Sequence, residues 1–292
     1  MRETVIQFGE GNFLRGFFDY FLDVMNKQGL YDGKAVVIQP RAGGKCALLN
    51  AQNSKYNLYL RGIENGAVKC EHHFVESISR CIDPYKCFEE YMSLADNPDF
   101  RFIVSNTTEA GIAFDDNDKY EDKPCKGFPA KLTQLLYRRY KKGLGGFIIL
   151  PCELIDNNGA ELKKCVLKYA DLWNLENGFA DWIESENQFA NTLVDRIVTG
   201  YPNDETKDIH PDDKFLDTAE IFHLVLREIY NQRCLLLDIP LKAVVLLVLT
   251  EVNLFALLFA DSDLTKNLLF EVEIFEIALC RQECWQVKSV FN

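Results

Sequence analysis

The opening stretch of the chain constrains the fold more than any other. Thr4 to Phe8 reads as a short buried strand that ends directly in Gly9-Glu10-Gly11-Asn12. Apolar residues then fall at Phe13, Leu14, Phe17, Phe18, Phe21, Leu22 and Met25, a broad face with the period of an α-helix. Gly29 supplies a stop, and Ala35 to Ile38 is a second strand. Strand, glycine turn, helix, strand in that order is the βαβ unit of a dinucleotide-binding fold.

The alternation continues. Phe100 to Val104 is strand-like and runs into Ser105-Asn106-Thr107-Thr108-Glu109. Pro129 precedes a helical pattern from Ala130 to Lys142; Gly146 to Leu150 is a strand ending in Pro151-Cys152-Glu153; Ala160 to Trp173 is helical again. This pattern predicts an α/β fold, a Rossmann-like doubly wound sheet that is mostly parallel, with helices on both faces. Ligands of such sheets sit at the carboxyl ends of the strands. Gly9–Asn12, Ser105–Gly111 and Pro151–Gly159 all fall there.

The character changes near residue 200. All 17 glycines of the 292 residues lie at or before Gly200, and the rest is rich in Leu, Val, Ile and Phe. The expectation is a dinucleotide-binding domain over 1–200 and a truncated, mainly helical C-terminal part over 201–292. The run from Ala243 to Ala260 is almost wholly apolar, but Glu251 and Asn253 sit inside it, so it is read as buried in protein rather than as a membrane span. A net charge of −12 argues against nucleic acid or an anionic membrane as partner. The ten cysteines include no CxxC pair, and Met1 leads straight into the first strand with no leader pattern. They are read as reduced and mostly buried, in a cytoplasmic protein without a metal site.

Each candidate site has two readings. Gly9 and Gly11 open the backbone to a pyrophosphate at a helix N-terminus, or simply make a tight turn; the third glycine of the usual pattern is replaced by Leu14. The second strand ends in Gln39-Pro40-Arg41 where an acid would bind an adenosine ribose. Arg41 suits a 2′-phosphate, an adenine face or solvent, so spacing leaves NAD and NADP open. Asn106 and Thr107 suit a nicotinamide ribose or a polar turn. Glu153, Asp156, Asn157 and Asn158 suit sugar hydroxyls or an Asx-rich turn.

Six blocks carry a resemblance: Val5 to Gly16, Ser105 to Gly111, Phe128 to Thr133, Pro151 to Asp156, Asn191 to Pro202 and Phe215 to Glu220. Together they resemble the long-chain mannitol dehydrogenase family, closest to its tagaturonate reductase branch, over about residues 1–225. The resemblance implies an NAD-dependent oxidoreductase acting on a small sugar acid. The implied reaction is hydride transfer from NADH to D-tagaturonate, giving D-altronate in hexuronate breakdown. It implies that Gly9, Glu10, Gly11, Asn12, Phe13, Leu14 and Arg15 bind the cofactor with Asn106 and Thr107. Glu153, Asn157, Asn158 and Asn191 are then placed with the substrate, and Asp195 as a supporting residue at the catalytic centre. Oligomeric state is not implied.

The chain departs from the family at one place. The family's acid/base lysine lies in a Lys-x4-Asn-x2-His pattern after the nucleotide domain. Here the histidines are His72, His73, His210 and His223, so that pattern is absent from the sequence. Loss of an acid/base group lowers rates by about 10²–10⁴-fold. The expectations are therefore an altered C-terminal segment and weak or absent catalysis. Two alternatives stand beside this one: a fructuronate- or mannitol-type dehydrogenase of the same family, and a non-catalytic nucleotide-binding protein.

Overall fold

A computed structural model describes residues 1–64, 67–108 and 110–221, with the backbone alone at 64, 224–229 and 243–247. Strand β1 (Arg2–Phe8) passes through the glycine turn into one helical rod made of α1 (Asn12–Leu14), a π-helical turn (Arg15–Asp19) and α2 (Tyr20–Lys27). Then come β2 (Gly33–Ile38), α3 (Cys46–Ala51), the hairpin β3 (Tyr56–Glu64) and β4 (Ala67–Val75), β5 (Ile78–Ile82) and α4 (Phe88–Ser93). The chain continues as β6 (Phe102–Ser105), α5 (Phe128–Lys141), β7 (Ile148–Pro151), α6 (Asn158–Leu172), α7 (Asn177–Glu186), β8 (Gln188–Phe189) and β9 (Thr192–Asp195). Last are α8 (Thr206–Ile209), β10 (Asp217–Glu220), β11 (Leu224–Ile229) and β12 (Ala243–Leu247).

The main sheet has the order β5-β2-β1-β6-β7-β8, and every pairing in it is parallel. The order reverses between β1 and β6, which opens a crevice at the carboxyl ends of those strands. Register sharpens that edge: Phe8 lies opposite both Ile38 and Ser105, and Ser105 opposite Pro151. The loops that follow β1, β6 and β7 therefore leave the sheet from one row.

Side chains alternate across the sheet as a pleated strand requires. Ile6, Phe8, Val36, Ile38 and Ile103 pack with Leu132, Leu135 and Val166 of α5 and α6. Val5, Ala35, Phe102 and Val104 point the other way, onto Leu14, Phe17, Phe18, Phe21 and Leu22 of the first helical rod. The aromatic run that marked this helix in the sequence is its core face. Burying one such ring stabilises the fold by about 1.5–3 kcal/mol.

Of the segment after residue 200, expected to be mainly helical, only part falls among the described residues. Among its described residues only α8 is α-helical, whereas β10 pairs in parallel with β3, β11 pairs antiparallel with β9, and β12 pairs with β11. Continuous apolar runs carry no helical period, so a helix and a buried strand look alike in them. Pairings from both sides of residue 200 join there, and the remainder of 201–292, including most of the apolar run from Ala243, lies outside the described residues. The seven described cysteines are all free; Cys46, Cys81, Cys125, Cys152 and Cys165 are buried, and Cys70 and Cys87 are exposed. No helix among the described residues is long and apolar enough to cross a membrane.

Candidate functional site

The glycine turn is built by close approach. Gly9 has φ of +123°, its N–H donates to the Ile38 carbonyl at 3.0 Å, and a side chain there would lie 2.9 Å from the Asn106 carbonyl oxygen. Only glycine fits both the angle and the gap. Gly11 is the opposite case. It caps α1 with extended backbone angles, and no atom lies within 4 Å of where its Cβ would be. The helix N-terminus thus faces open space with free N–H groups, the cradle a pyrophosphate requires. Leu14 is buried under the turn, its Cδ1 3.4 Å from the Cβ position of Gly9. Close helix packing is provided instead by Gly16, where a Cβ would meet Val198 at 2.8 Å.

Arg15 does not reach toward a ligand. Its guanidinium is buried, donating to the Glu10 carbonyl at 2.7 Å and to Asn12 Oδ1 at 2.8 Å, and lying 3.3 Å from Asp217 Oδ2. It splints the turn from beneath. Tyr56 donates to the Arg15 carbonyl at 2.8 Å, so β3 braces the same segment. Beside it, Asp19 is fully buried and accepts from Gln7 Nε2 at 3.1 Å. Burial raises its pKa to about 7, against the opposing pull of Gln7 and Arg15. Burial likewise holds Asp217 at about 7 despite Arg15.

At the carboxyl end of β2, Gln39 stands in the strand-end position. Its side chain is folded onto its own loop, donating to the Arg41 carbonyl at 2.8 Å and accepting from the Cys46 N–H at 3.2 Å. Arg41 and Lys45 are exposed.

A cavity of about 720 Å³ lies beside the turn, lined by residues that include Phe13, Asn106, Thr108, Glu153, Asp195 and Arg196. Asn106 is held by its N–H on the Phe8 carbonyl at 3.1 Å and its Nδ2 on the Cys152 carbonyl at 2.7 Å. Glu153 is 2% exposed. One of its oxygens accepts from both the N–H and the hydroxyl of Thr107 at 2.9 Å, the other from Ser105 Oγ at 3.0 Å. Burial pushes its pKa up, and the Thr107 and Ser105 donors pull it back. The carboxylate locks the ends of β6 and β7 together, and Thr107 faces it rather than the cavity.

The other expected substrate residues part company. Asn158 is buried. Its Nδ2 donates to the carbonyls of Pro151 and Glu153 at 3.0 Å, and its Oδ1 accepts from the N–H groups of Gly159 at 2.8 Å and Thr192 at 2.9 Å. Asn191 Oδ1 accepts from the Ala160 N–H at 2.9 Å, at the start of α6. Both amides tie α6 to the segment after β8, and neither lines the cavity. Asn157 is exposed, with φ of +55° at the α6 boundary. Asp195 is exposed and does line the cavity.

Reading the sequence did not single out Arg196, which lines the cavity. Arg196 is 5% exposed and spans from the Gly16 carbonyl (2.9 Å) to that of Glu220 (2.8 Å) over the rings of Tyr20 and Phe21. Its neighbour Asp195 was the only signal. No metal-like cluster occurs at the cavity; the one group of possible ligands among the described residues, Asp118, Asp122 and Cys125, lies in the loop before α5.

Comparison with known proteins bears on the family and the fold. The family model described as the mannitol dehydrogenase Rossmann domain matches residues 3–232. Altronate oxidoreductase of Bacillus subtilis is 49% identical over 214 residues, covering 72% of this chain and 45% of that protein. The Bacteroides thetaiotaomicron altronate oxidoreductase is 46% identical over 230 residues, covering 76% of this chain and 48% of its own length. The chain thus spans about half the length of the curated relatives it matches. Among solved structures, Pseudomonas fluorescens mannitol 2-dehydrogenase, in ternary complex with NAD and D-mannitol, superposes with a TM-score of 0.69 at 22% identity. That alignment covers 78% of this chain and 49% of the solved one, and bears on the fold alone.

Proposed function

The chain belongs to the mannitol dehydrogenase family, and from that premise we propose that it binds NAD(H) at the Gly9–Asn12 turn as the nucleotide half of a sugar-acid dehydrogenase. The observation that carries the reading is the turn itself: Gly9 pressed against Asn106 and Gly11 left open at a helix N-terminus. The substrate class follows from the altronate oxidoreductases it resembles at 45–49% identity. The reaction proposed for the whole dehydrogenase, of which this chain supplies the nucleotide half, is reduction of D-tagaturonate to D-altronate.

A bound nicotinamide cofactor would supply the hydride. The residues of this chain bind and orient. The amides of the turn receive the pyrophosphate, while Arg15 keeps the turn in shape from below. Glu153 fixes the Ser105–Thr107 edge, so that Asn106 is presented to the nicotinamide side of the cavity. Asp195, exposed at the cavity wall, is placed to accept a substrate hydroxyl. The sequence contains no Lys-x4-Asn-x2-His pattern, and this favours a second reading in which the chain binds nucleotide without turning substrate over.

Fluorescence titration with NADH, followed by D-tagaturonate in the same cuvette, tests both. Binding is expected, with little or no oxidation on adding substrate. Rapid oxidation would overturn the non-catalytic reading, and absence of NADH binding would overturn the proposal as a whole.

A further inference from the structure

The strand-end acid that usually receives the adenosine ribose is missing after β2, yet a carboxylate stands beside its place. Glu10, between the two glycines of the turn, extends across to the loop after β2. Its Oε1 accepts from the Lys45 N–H at 3.3 Å. Among the described residues its Oε2 takes no hydrogen bond. Gly44 is what admits it: a Cβ there would lie 2.3 Å from Glu10 Oε1 and 2.6 Å from the Gln39 side chain. Gln39 itself is unavailable, because both ends of its amide are engaged by its own loop. Asp83, at the end of the neighbouring β5, accepts from the Tyr85 N–H at 3.0 Å within its own turn.

We propose that Glu10 replaces the strand-end acid: its free oxygen accepts an adenosine ribose hydroxyl, and its charge excludes a 2′-phosphate, which makes the site selective for NADH over NADPH. The inference rests on the dinucleotide reading above. A ribose diol donates well to a carboxylate, whereas a phosphate dianion at the same place meets like charge. The exposed cations Arg41 and Lys45 would favour the opposite choice, so the two sets of residues make opposed forecasts. The glycine at position 44 is explained by the same arrangement, since any side chain there would push the carboxylate away.

The test is fluorescence titration of the full chain with NADH and with NADPH, for wild type, Glu10→Gln, Glu10→Asp, Gly44→Ala and Arg41→Ala. Wild type is expected to prefer NADH by at least about tenfold. Glu10→Gln should erase most of that preference. Gly44→Ala should also reduce it, although the acid remains, and Glu10→Asp should retain rejection of NADPH. Circular dichroism confirms that each variant is folded; Glu10 is only half-buried, so its replacement leaves the core untouched. An unchanged NADH preference in folded Glu10→Gln would overturn the assignment, as would a wild type that prefers NADPH and loses it in Arg41→Ala. Wild type that bound neither nucleotide would overturn the dinucleotide reading, and this inference with it.

Discussion

The turn after β1 and the turn after β7 leave the same edge of the same sheet, and they use their polar groups in opposite ways. After β1, the backbone of Gly11 is left open and the one cation, Arg15, is folded beneath to hold the shape. After β7, Glu153 and Asn158 satisfy the surrounding backbone and leave little to offer a ligand. On the proposed reading, the binding surface is made by withholding side chains, and its rigidity by side chains that look like ligands. The second turn is scaffold for the first: Glu153 fixes Thr107, and Asn106, next along, forms the wall against which Gly9 is pressed.

Substitutions break this contrast in order of size. Arg15→Met removes the support of the Glu10 carbonyl and of Asn12, and leaves Asp217 in a buried site without its cation. It should cost about 3–5 kcal/mol in urea unfolding and weaken NADH as well. Asn158→Ala strands the buried N–H of Gly159 and the half-buried N–H of Thr192, for a loss of about 3 kcal/mol. The folded fraction should bind NADH normally, because that amide faces the scaffold; a specific loss of NADH affinity at unchanged stability would return Asn158 to the ligand side. Gly9→Ala is strained by its positive φ and by contact with Asn106, costing about 1–3 kcal/mol and weakening NADH together with stability.

A pH titration sharpens the contrast in another way. Asp19 and Asp217 have native pKa values raised to about 7 by burial, above the ordinary carboxylate range they regain on unfolding. Between that range and about pH 7 the native state therefore binds more protons than the unfolded one. Their contribution to stability is fully present at low pH, falls as pH rises, and levels off above about 7. Asp19→Asn should flatten that slope and raise the urea midpoint at pH 8 relative to wild type. A slope that survived the substitution undiminished would remove Asp19 from the account.

Legibility in the sequence followed the range of the interaction. The βαβ unit was readable because its strand, glycines and aromatic helix face lie within one short stretch. The parallel order of the sheet followed from alternation. The roles of Arg15, Asn158 and Asn191 were not readable, because their partners lie elsewhere in the chain: Asp217 for Arg15, Thr192 for Asn158, Ala160 for Asn191. An asparagine suits a sugar hydroxyl and a backbone staple equally well. The β3–β4 hairpin left a local mark that went unread, since Asn65-Gly66 separates two strand-forming runs. The segment after residue 200 stayed the least legible, because an apolar run lacks the polar punctuation that distinguishes strand from helix.

The most direct test of the open-turn claim is NADH titration of Gly11→Leu beside wild type, with urea unfolding of both. The site is open and its backbone angles suit any residue, so stability should stay within about 0.5 kcal/mol of wild type. Affinity for NADH should fall by at least about tenfold as the side chain enters the pyrophosphate cradle. Equal NADH affinity in the two folded proteins would contradict the account and place the nucleotide, if bound, elsewhere.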